Sequence, residues 1–292
     1  MKKLLTFILI MSLISCNKNN DKADGYGNFE ATEVTISSEA NGKIDYLKLE
    51  EGDILETNIQ VGLVDTTQLY FNKEQLIASK STVFSKSQNV LSQISILKEQ
   101  LKTTLIEQNR IQNMFAENAA TKRQVDEIIG KVNVLNEQIK SVQTQNAPII
   151  NEIKSIDVQI EKINDQIEKS KIINPIKGTV LSKYAEPKEV TAFGKPLYKI
   201  ADISEMTLRV YISETQLSQI RIGQNVTVKI DAEKDMKSYP GTISWIASSA
   251  EFTPKIIQTK EERANLVYAV KVEVKNDGSL KIGMPAEMWI AN

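Results

Sequence analysis

A stretch of 106 residues with almost no helix breakers, 66–171, constrains the fold more than any other feature of this chain. It contains one glycine, Gly130, and one proline, Pro148. In its second half, apolar residues recur in alternating steps of three and four, as in a coiled-coil seam. The seam residues are Val125, Ile128, Val132, Leu135, Ile139, Val142, Ile149, Ile153, Ile156, Ile160, Ile163 and Ile167, with Asn146 as a polar member. The pattern predicts a long helix, kinked at Pro148, that packs on another helix.

The first half of the stretch repeats the pattern more loosely. Its apolar seam positions are Leu76, Val83, Val90, Ile94, Leu97, Leu101, Ile111 and Phe115, and its polar ones are Lys80, Ser87, Thr104 and Gln108. Between the halves, Asn118 suits a left-handed helix end and Thr121 suits an N-cap. Two helices joined by a short turn predict an antiparallel hairpin about 70 Å long. A single long helix that dimerises is the alternative.

The N-terminal residues carry the pattern of a secretory signal peptide. Lys2 and Lys3 precede an apolar run that is too short to span a bilayer. The single cysteine, Cys16, follows Leu-Ile-Ser, so the segment resembles the lipobox of bacterial lipoproteins. That resemblance implies a signal peptide at 1–15, acyl chains on Cys16 that anchor the protein, and a polar tether at 16–27. An ordinary signal peptide with an incidental cysteine is the alternative.

Composition narrows the functional classes. The chain has 36 Lys and Arg against 37 Asp and Glu, no histidine and one cysteine. A balanced charge disfavours a general nucleic-acid binder. Without histidine, the commonest general base and neutral metal ligand are missing. We therefore expect no catalytic residues, no metal site and no cofactor, although chemistry by carboxylates alone and a metal site with oxygen ligands stay open.

An internal repeat flanks the predicted hairpin. A constant offset of 136 positions aligns one segment with the other without a gap. The aligned pairs are Gly42 with Gly178, Ile44 with Val180, Asp53 with Glu189, Ile54 with Val190, Asn58 with Gly194, Val61 with Leu197 and Val64 with Ile200. Short apolar runs between turn residues predict strands. We expect two β-halves that pair into one sandwich, which requires Asp65 and Lys171 to lie close together.

Here the sequence resembles the HlyD family of membrane fusion proteins, or periplasmic adaptors. The matching segments are Glu51-Gly52-Asp53, Asn174-Pro175-Ile176-Lys177-Gly178, Phe193-Gly194-Lys195-Pro196-Leu197 and Ile200-Ala201-Asp202. The resemblance implies an α+β fold, in which a coiled-coil hairpin is inserted in a lipoyl-like β barrel-sandwich and a C-terminal β-barrel follows. The implied domains are the sandwich halves 28–65 and 172–202, the hairpin 66–171 and the barrel 203–292. Alternatively, residues 28–36 join the barrel or form part of a separate membrane-proximal domain.

Four glycines are implied as turn residues of the sandwich, and two family turns depart from the pattern. The glycines are Gly42, Gly52, Gly178 and Gly194. Asn58 replaces one expected glycine, and Lys188 replaces the glycine of a Pro-Gly-Glu turn. We expect both of these turns to be looser than usual.

The C-terminal third alternates apolar and polar residues in several short runs separated by turn residues. This pattern predicts a small β-barrel. Ser213 and Gln216 form a capping box that predicts a short helix within it. The segments 250–255 and 258–268 are similar to adaptors that work with ABC exporters.

Adaptors that dock on a TolC-like channel carry Arg, Leu and Ser around the hairpin tip. At the corresponding offsets this chain has Arg110, Met114 and Thr121. The resemblance implies that these residues contact the channel. The guanidinium of the arginine would donate hydrogen bonds in a forked geometry, and the methionine would make an adaptable apolar contact. The hydroxyl would be a small hydrogen-bonding group. Alternatively, Arg110 is a solvated charge, Met114 a seam residue and Thr121 only an N-cap.

The implied function is that of an adaptor in a tripartite export system. Its partners would be an inner-membrane ABC-type transporter, a TolC-like outer-membrane channel, the membrane through its lipid anchor, and further copies in a trimeric or hexameric ring. Its location would be the periplasm, anchored to the inner membrane. A structural coiled-coil lipoprotein of the envelope and a lipoyl- or biotinyl-like carrier subunit are the alternatives.

Overall fold

The computed structural model describes residues 22–232, 235–252 and 266–290. The predicted signal peptide and Cys16 lie outside these residues.

The helices are α1 (Thr67–Ala116), α2 (Lys122–Lys169) and α3 (Glu214–Leu217). The strands are β1 (Gly25–Glu30), β2 (Glu33–Ser37), β3 (Gly42–Leu47), β4 (Ile54–Leu55), β5 (Gln60–Val64), β6 (Lys171–Ile173), β7 (Gly178–Lys183), β8 (Val190–Thr191), β9 (Pro196–Ala201), β10 (Glu205–Ser213), β11 (Asn225–Asp231), β12 (Met236–Ile246), β13 (Glu251–Phe252), β14 (Leu266–Lys275) and β15 (Pro285–Ile290).

Helices α1 and α2 form the predicted hairpin rather than one continuous helix. Each predicted seam position in α2 is buried or half-buried, and so is each position in α1 except the last. The centre of the seam is a cluster of Val90, Ile94 and Ile139. The exception is Phe115, which is 45 % exposed in the last turn of α1. Pro148 lies inside α2, which runs through it as one helix.

Two polar contacts join the helices along the seam. The Ser87 hydroxyl donates to Oδ1 of Asn146 over 2.8 Å, and Ser87 is buried. Nearer the base of the hairpin, Lys80 Nζ lies 2.6 Å from Oδ1 of Asp157. Polar seam residues cost stability but favour one register, because any shift separates the partners. These pairs therefore align α1 with α2.

The repeated segments form a sandwich of two four-stranded sheets, β2-β9-β7-β4 and β6-β5-β3-β8. Each sheet takes strands from both halves. Strand β4 of the first half pairs with β7 of the second, with Leu55 opposite Gly178. Strand β8 of the second half pairs with β3 of the first, with Thr191 opposite Gly42. The two pairings are equivalent under the offset of 136 positions, so the predicted association of the halves is confirmed.

The turns of the two halves also correspond. Gly52 has φ 95° and its equivalent, Lys188, has φ 78°. The Gly52 N–H donates to the Val180 carbonyl and the Lys188 N–H to the Ile44 carbonyl, which are again equivalent positions. Both turns therefore keep the same left-handed backbone. The expectation of a looser turn at Lys188 is wrong, because the backbone hydrogen bond of the turn forms despite the side chain.

The second departure from the family pattern gives the same result. Asn58 has φ 60° where its equivalent, Gly194, has φ 80°. The Asn58 N–H donates to the Asn174 carbonyl over 2.7 Å, and the Gly194 N–H donates to the Ser38 carbonyl over 2.8 Å. Asparagine tolerates this left-handed conformation better than most residues. The turn at Asn58 is therefore not looser either.

The hairpin leaves and re-enters the sandwich at one place. The Val64 N–H donates to the Ser170 carbonyl over 2.9 Å, and Leu63 lies opposite Lys171 where β5 pairs with β6. This confirms that the chain comes back beside its point of departure. Because strand pairing holds both ends of the hairpin, its base is fixed to the sandwich core.

The C-terminal strands close into a barrel in the order β10-β1-β15-β11-β12-β14, with β14 pairing back to β10. Phe29, Leu208, Val228, Val272 and Met288 are fully buried in its core. The predicted capping box opens α3 at Ser213.

The first strand of the barrel comes from the N-terminal part of the chain. Strand β1 (Gly25–Glu30) pairs with β10 and β15. The predicted tether at 16–27 and the predicted start of the sandwich at 28 are therefore wrong at this boundary, and the alternative that residues 28–36 join the barrel holds only as far as Glu30. The physical reason is Phe29, whose buried ring fills part of the barrel core. The first sandwich strand is β2, which pairs with β9.

Within the described residues, no helix combines the length and apolar character that crossing a membrane requires.

Candidate functional site

The turn at the hairpin tip closes α1 with a defined set of backbone hydrogen bonds. Asn118 has φ 57°, the predicted left-handed end. The Ala119 N–H donates to the Met114 carbonyl, and the Asn118 N–H donates to the Phe115 carbonyl. This is the Schellman arrangement, which satisfies carbonyls at a helix end. The tip is therefore an ordered turn rather than a frayed one.

Thr121 begins α2 with the predicted N-cap. Its hydroxyl donates to Oε1 of Gln124 over 2.9 Å, and the same oxygen accepts from the Thr121 N–H over 2.8 Å. The hydroxyl oxygen also accepts from the Gln124 N–H. Together these bonds form a reciprocal capping box. Thr121 is exposed, so a partner can approach the hydroxyl while it caps the helix.

The other two predicted tip residues lie on the last two turns of α1. Arg110 Nη1 lies 3.0 Å from Oε2 of Glu107, and the Arg110 side chain is 67 % exposed. Exposed ion pairs one turn apart are weak, so the guanidinium is free to exchange Glu107 for another acceptor. Met114 is 41 % exposed. It is therefore not an enclosed seam residue.

Sequence reasoning missed Phe115 as a candidate tip residue. It assigned Phe115 to the seam, but Met114 and Phe115 both expose apolar surface beside the turn. In the sequence, the feature that could have identified them as tip residues is that two large apolar residues stand just before the predicted end of the helix. The tip thus combines the guanidinium of Arg110, the helix-capping hydroxyl of Thr121 and an apolar patch made by Met114 and Phe115. Such a surface can dock on a protein.

The four predicted turn glycines serve the sandwich and lie away from the tip. Gly52 and Gly194 adopt positive φ in open surroundings. The prediction of a turn at Gly178 is wrong, because Gly178 is the first residue of strand β7 and pairs with Leu55. A Cβ there would lie 2.5 Å from the Ala201 carbonyl oxygen, so close strand packing excludes a side chain. Gly42 has φ 151°, and a Cβ there would lie 3.0 Å from Val64 Cγ1. These glycines therefore allow turns and close strand contacts within the sandwich.

Within residues 22–232, 235–252 and 266–290, no group of three or more His, Cys, Asp or Glu side chains is arranged to hold a metal ion. A groove of about 700 Å³ lies on the barrel, where Tyr26, Tyr211, Lys229 and Glu287 contribute to its lining. It shares no residue with the tip. The candidate site is therefore the capped end of the hairpin.

Comparisons with known proteins agree with this architecture. Residues 206–290 match the family model described as the YknX-like beta-barrel domain. The chain is 24% identical over 290 residues to a UPF0194 membrane protein of Acidithiobacillus ferridurans, covering 91% of this chain and 86% of the relative. It is 23% identical to the UPF0194 membrane protein YbhG of Salmonella gallinarum, covering 92% and 88% of the two chains.

Among solved structures, MacA from Actinobacillus actinomycetemcomitans has a similar fold. The TM-score is 0.54 at 20% identity, and the match covers 90% of this chain and 76% of MacA. The chain therefore has the α+β fold of a hairpin-split sandwich followed by a barrel.

Proposed function

We propose that this protein is the periplasmic adaptor subunit of a tripartite export system. The observation that carries the proposal is the cross-pairing of the two sandwich halves. It fixes both ends of the hairpin at one place, so that the ordered tip stands about 70 Å away. A rod with a fixed base and a capped, exposed tip is suited to bridging two partners. Its role is mechanical rather than catalytic.

The partners of this bridge follow from the family resemblance. The barrel and sandwich seat on an inner-membrane transporter of the ABC type, and the tip reaches a TolC-like channel in the outer membrane. Cys16 carries the acyl chains that hold the protein at the inner membrane. Because one protomer cannot enclose a duct, several copies assemble into a trimeric or hexameric ring.

Each tip residue has a separate part in docking. Arg110 breaks its weak ion pair with Glu107. Its guanidinium then donates hydrogen bonds to a carboxylate or backbone carbonyl of the channel. Met114 fits its flexible thioether to an apolar recess, and Phe115 extends that apolar contact. Thr121 offers its hydroxyl while it continues to cap α2. The geometry supports these roles because the three predicted residues and Phe115 all lie at one end of the rod.

The test is an export assay on Arg110→Asp in cells that otherwise lack this protein. We expect export to be lost while the variant stays folded and remains in the membrane fraction, because the aspartate repels an acidic or carbonyl acceptor. Lys154→Asp is the matched control. It makes the same kind of charge reversal at an exposed position of α2, near the base of the hairpin, and should leave export unchanged. Full export by Arg110→Asp would exclude the tip assignment.

A further inference from the structure

Helix α1 carries a second apolar stripe on its solvent side. Five large apolar residues recur at intervals of seven or fourteen, and each is between 41 % and 55 % exposed. They are Tyr70, Ile77, Phe84, Leu91 and Leu105. The same spacing of seven governs the seam that packs on α2, so the stripe keeps a constant angle to that seam along the helix. Scattered surface residues would not keep such a phase.

The stripe is wider than its five apolar residues. Residues three or four apart on a helix are neighbours, so the positions three or four residues from each apolar residue lie on the same face and complete a packing surface. The resulting surface, here called the outer seam, consists of Tyr70, Glu74, Ile77, Ser81, Phe84, Gln88, Leu91, Ser95, Lys98, Lys102 and Leu105. It spans about 50 Å of helix. Small serines between large apolar residues leave room for side chains of an opposing helix.

We propose that the outer seam binds the outer seam of a second copy of this chain, with the two α1 helices antiparallel about a two-fold axis close to Gln88. In that arrangement Phe84 lies beside Leu91 of the partner subunit, and Tyr70 lies beside Leu105 of the partner subunit. Ser81 faces Ser95 of the partner subunit. An isologous contact of this kind buries the same patch on both copies and closes at two.

Charge selects the antiparallel orientation. Glu74 lies near one end of the outer seam and Lys102 near the other. An antiparallel pair therefore places Glu74 of each copy opposite Lys102 of the partner subunit, and two equivalent ion pairs form. Lys102 has only a weak ion pair of 3.5 Å with Glu99 of its own helix, with both side chains exposed. In a parallel pair, each charged residue of the outer seam would instead lie beside the same residue of the second chain. These residues are Glu74, Lys98 and Lys102. Like charges at these layers are destabilising.

Helix α2 offers no matching surface. Its large exposed apolar residues are Val134, Ile150 and Val158, which are spaced by sixteen and eight positions. That spacing does not form a stripe in phase with a helix seam. The complement to the outer seam is therefore the outer seam of another copy. A pair with opposed tips cannot enter a ring whose tips all point one way, so the pair is a resting form that assembly must separate.

The orientation is tested by disulfide trapping between full-length chains purified in detergent. Two differently tagged chains, Phe84→Cys and Leu91→Cys, are mixed and oxidised, and the wild-type chain with its single Cys16 sets the background. We expect a mixed disulfide between the two variants at several times the amount that Phe84→Cys forms with itself. Trapping of Phe84→Cys with itself to an equal or greater extent would exclude the antiparallel pair, and trapping at background for both would show no pair. Either result overturns the proposal.

Charge exchange gives an independent measurement that does not rely on cysteines. By sedimentation velocity, Glu74→Lys and Lys102→Glu should each weaken self-association about fivefold, because two exposed ion pairs are lost. The double variant should return to the wild-type value. Equal weakening in the double variant would contradict the pairing. These measurements in solution are independent of the proposed export function, so one can fail while the other stands.

Discussion

The hydroxyl of Ser87 donates a hydrogen bond of 2.8 Å to Oδ1 of Asn146 across the hairpin. This bond joins two polar residues of a seam whose other members are mostly aliphatic. Ser87 is only 3 % exposed, so its partner cannot be replaced freely by water. The bond resists a shift of one helix along the other and thereby fixes where the tip lies relative to the base.

Ser87→Ala should destabilise the hairpin by about 1–2 kcal/mol, because it leaves the Asn146 carbonyl without its partner in a half-buried position. Ser87→Ala combined with Asn146→Leu should recover that loss, since an apolar pair has no polar group to desolvate. Chemical denaturation of the wild-type protein, Ser87→Ala, Asn146→Leu and the double variant forms a double-mutant cycle. Ser85→Ala is the control, because the exposed Ser85 hydroxyl contacts its own helix at Ser81. A similar loss in both single serine variants would contradict the account.

Lys188→Gly should stabilise the protein by roughly 0.5–1 kcal/mol, because glycine has no Cβ to strain a left-handed turn. The gain is limited by the lost hydrogen bond from Lys188 Nζ to the Asp45 carbonyl. Lys43→Gly makes the same substitution within strand β3 and should lower stability instead. Thermal unfolding distinguishes the two, and a loss of stability in Lys188→Gly would contradict the equivalence of this turn with the one at Gly52.

Acid should weaken the barrel through Asp277. Hydrogen bonds from Lys237 and Ser279 hold the pKa of Asp277 well below its usual value. A carboxyl group with a lowered pKa in the folded state contributes stability above its unfolded pKa, near 4, and loses it as the pH falls further. Asp277→Asn should therefore have a flatter acid limb in unfolding curves measured between pH 6 and pH 2 than the wild-type protein. Identical acid limbs would show that the Lys237–Asp277 contact has no such role.

The two roles of Thr121 can be separated by substitution. Thr121→Asp should keep the stability of the hairpin within about 0.5 kcal/mol, because aspartate is a good N-cap, whereas Thr121→Ala should cost about 1 kcal/mol. If the hydroxyl also contacts the channel, Thr121→Asp should lower export although its melting temperature is unchanged. Thr121→Ser preserves both features and serves as the control. Normal export by Thr121→Asp would leave Thr121 as a cap only.

The hairpin could be predicted in detail from the sequence because its seam is a simple periodic signal. The positions around Ile139 and Asn146 are buried or half-buried as the heptads indicate, and Asn118 and Thr121 take their predicted conformations. The offset of 136 positions likewise predicted the sandwich. In both cases the signal is local or directly repeated.

Other features could not be read from the sequence for identifiable physical reasons. The sequence left residues 28–36 open between the sandwich and the barrel. The place of β1 depends on pairing with strands far along the chain, and a short segment around Phe29 does not reveal that partner. Lysine is an unusual residue for a left-handed turn, so its identity alone does not indicate the conformation of Lys188, although its position in the repeat corresponds to Gly52. At the tip, the pattern identifies Phe115 as apolar but not as exposed.

The central claim is that the hairpin tip of this protein meets an outer-membrane channel. The most direct measurement is photo-crosslinking in living cells from a reactive amino acid placed at Met114, followed by identification of the captured protein. Val158, which is 69 % exposed nearer the base of the hairpin, is the matched control position. The account predicts capture of a TolC-like channel from Met114 and not from Val158. Capture of cell-wall components alone, or of the channel equally from both positions, would contradict it.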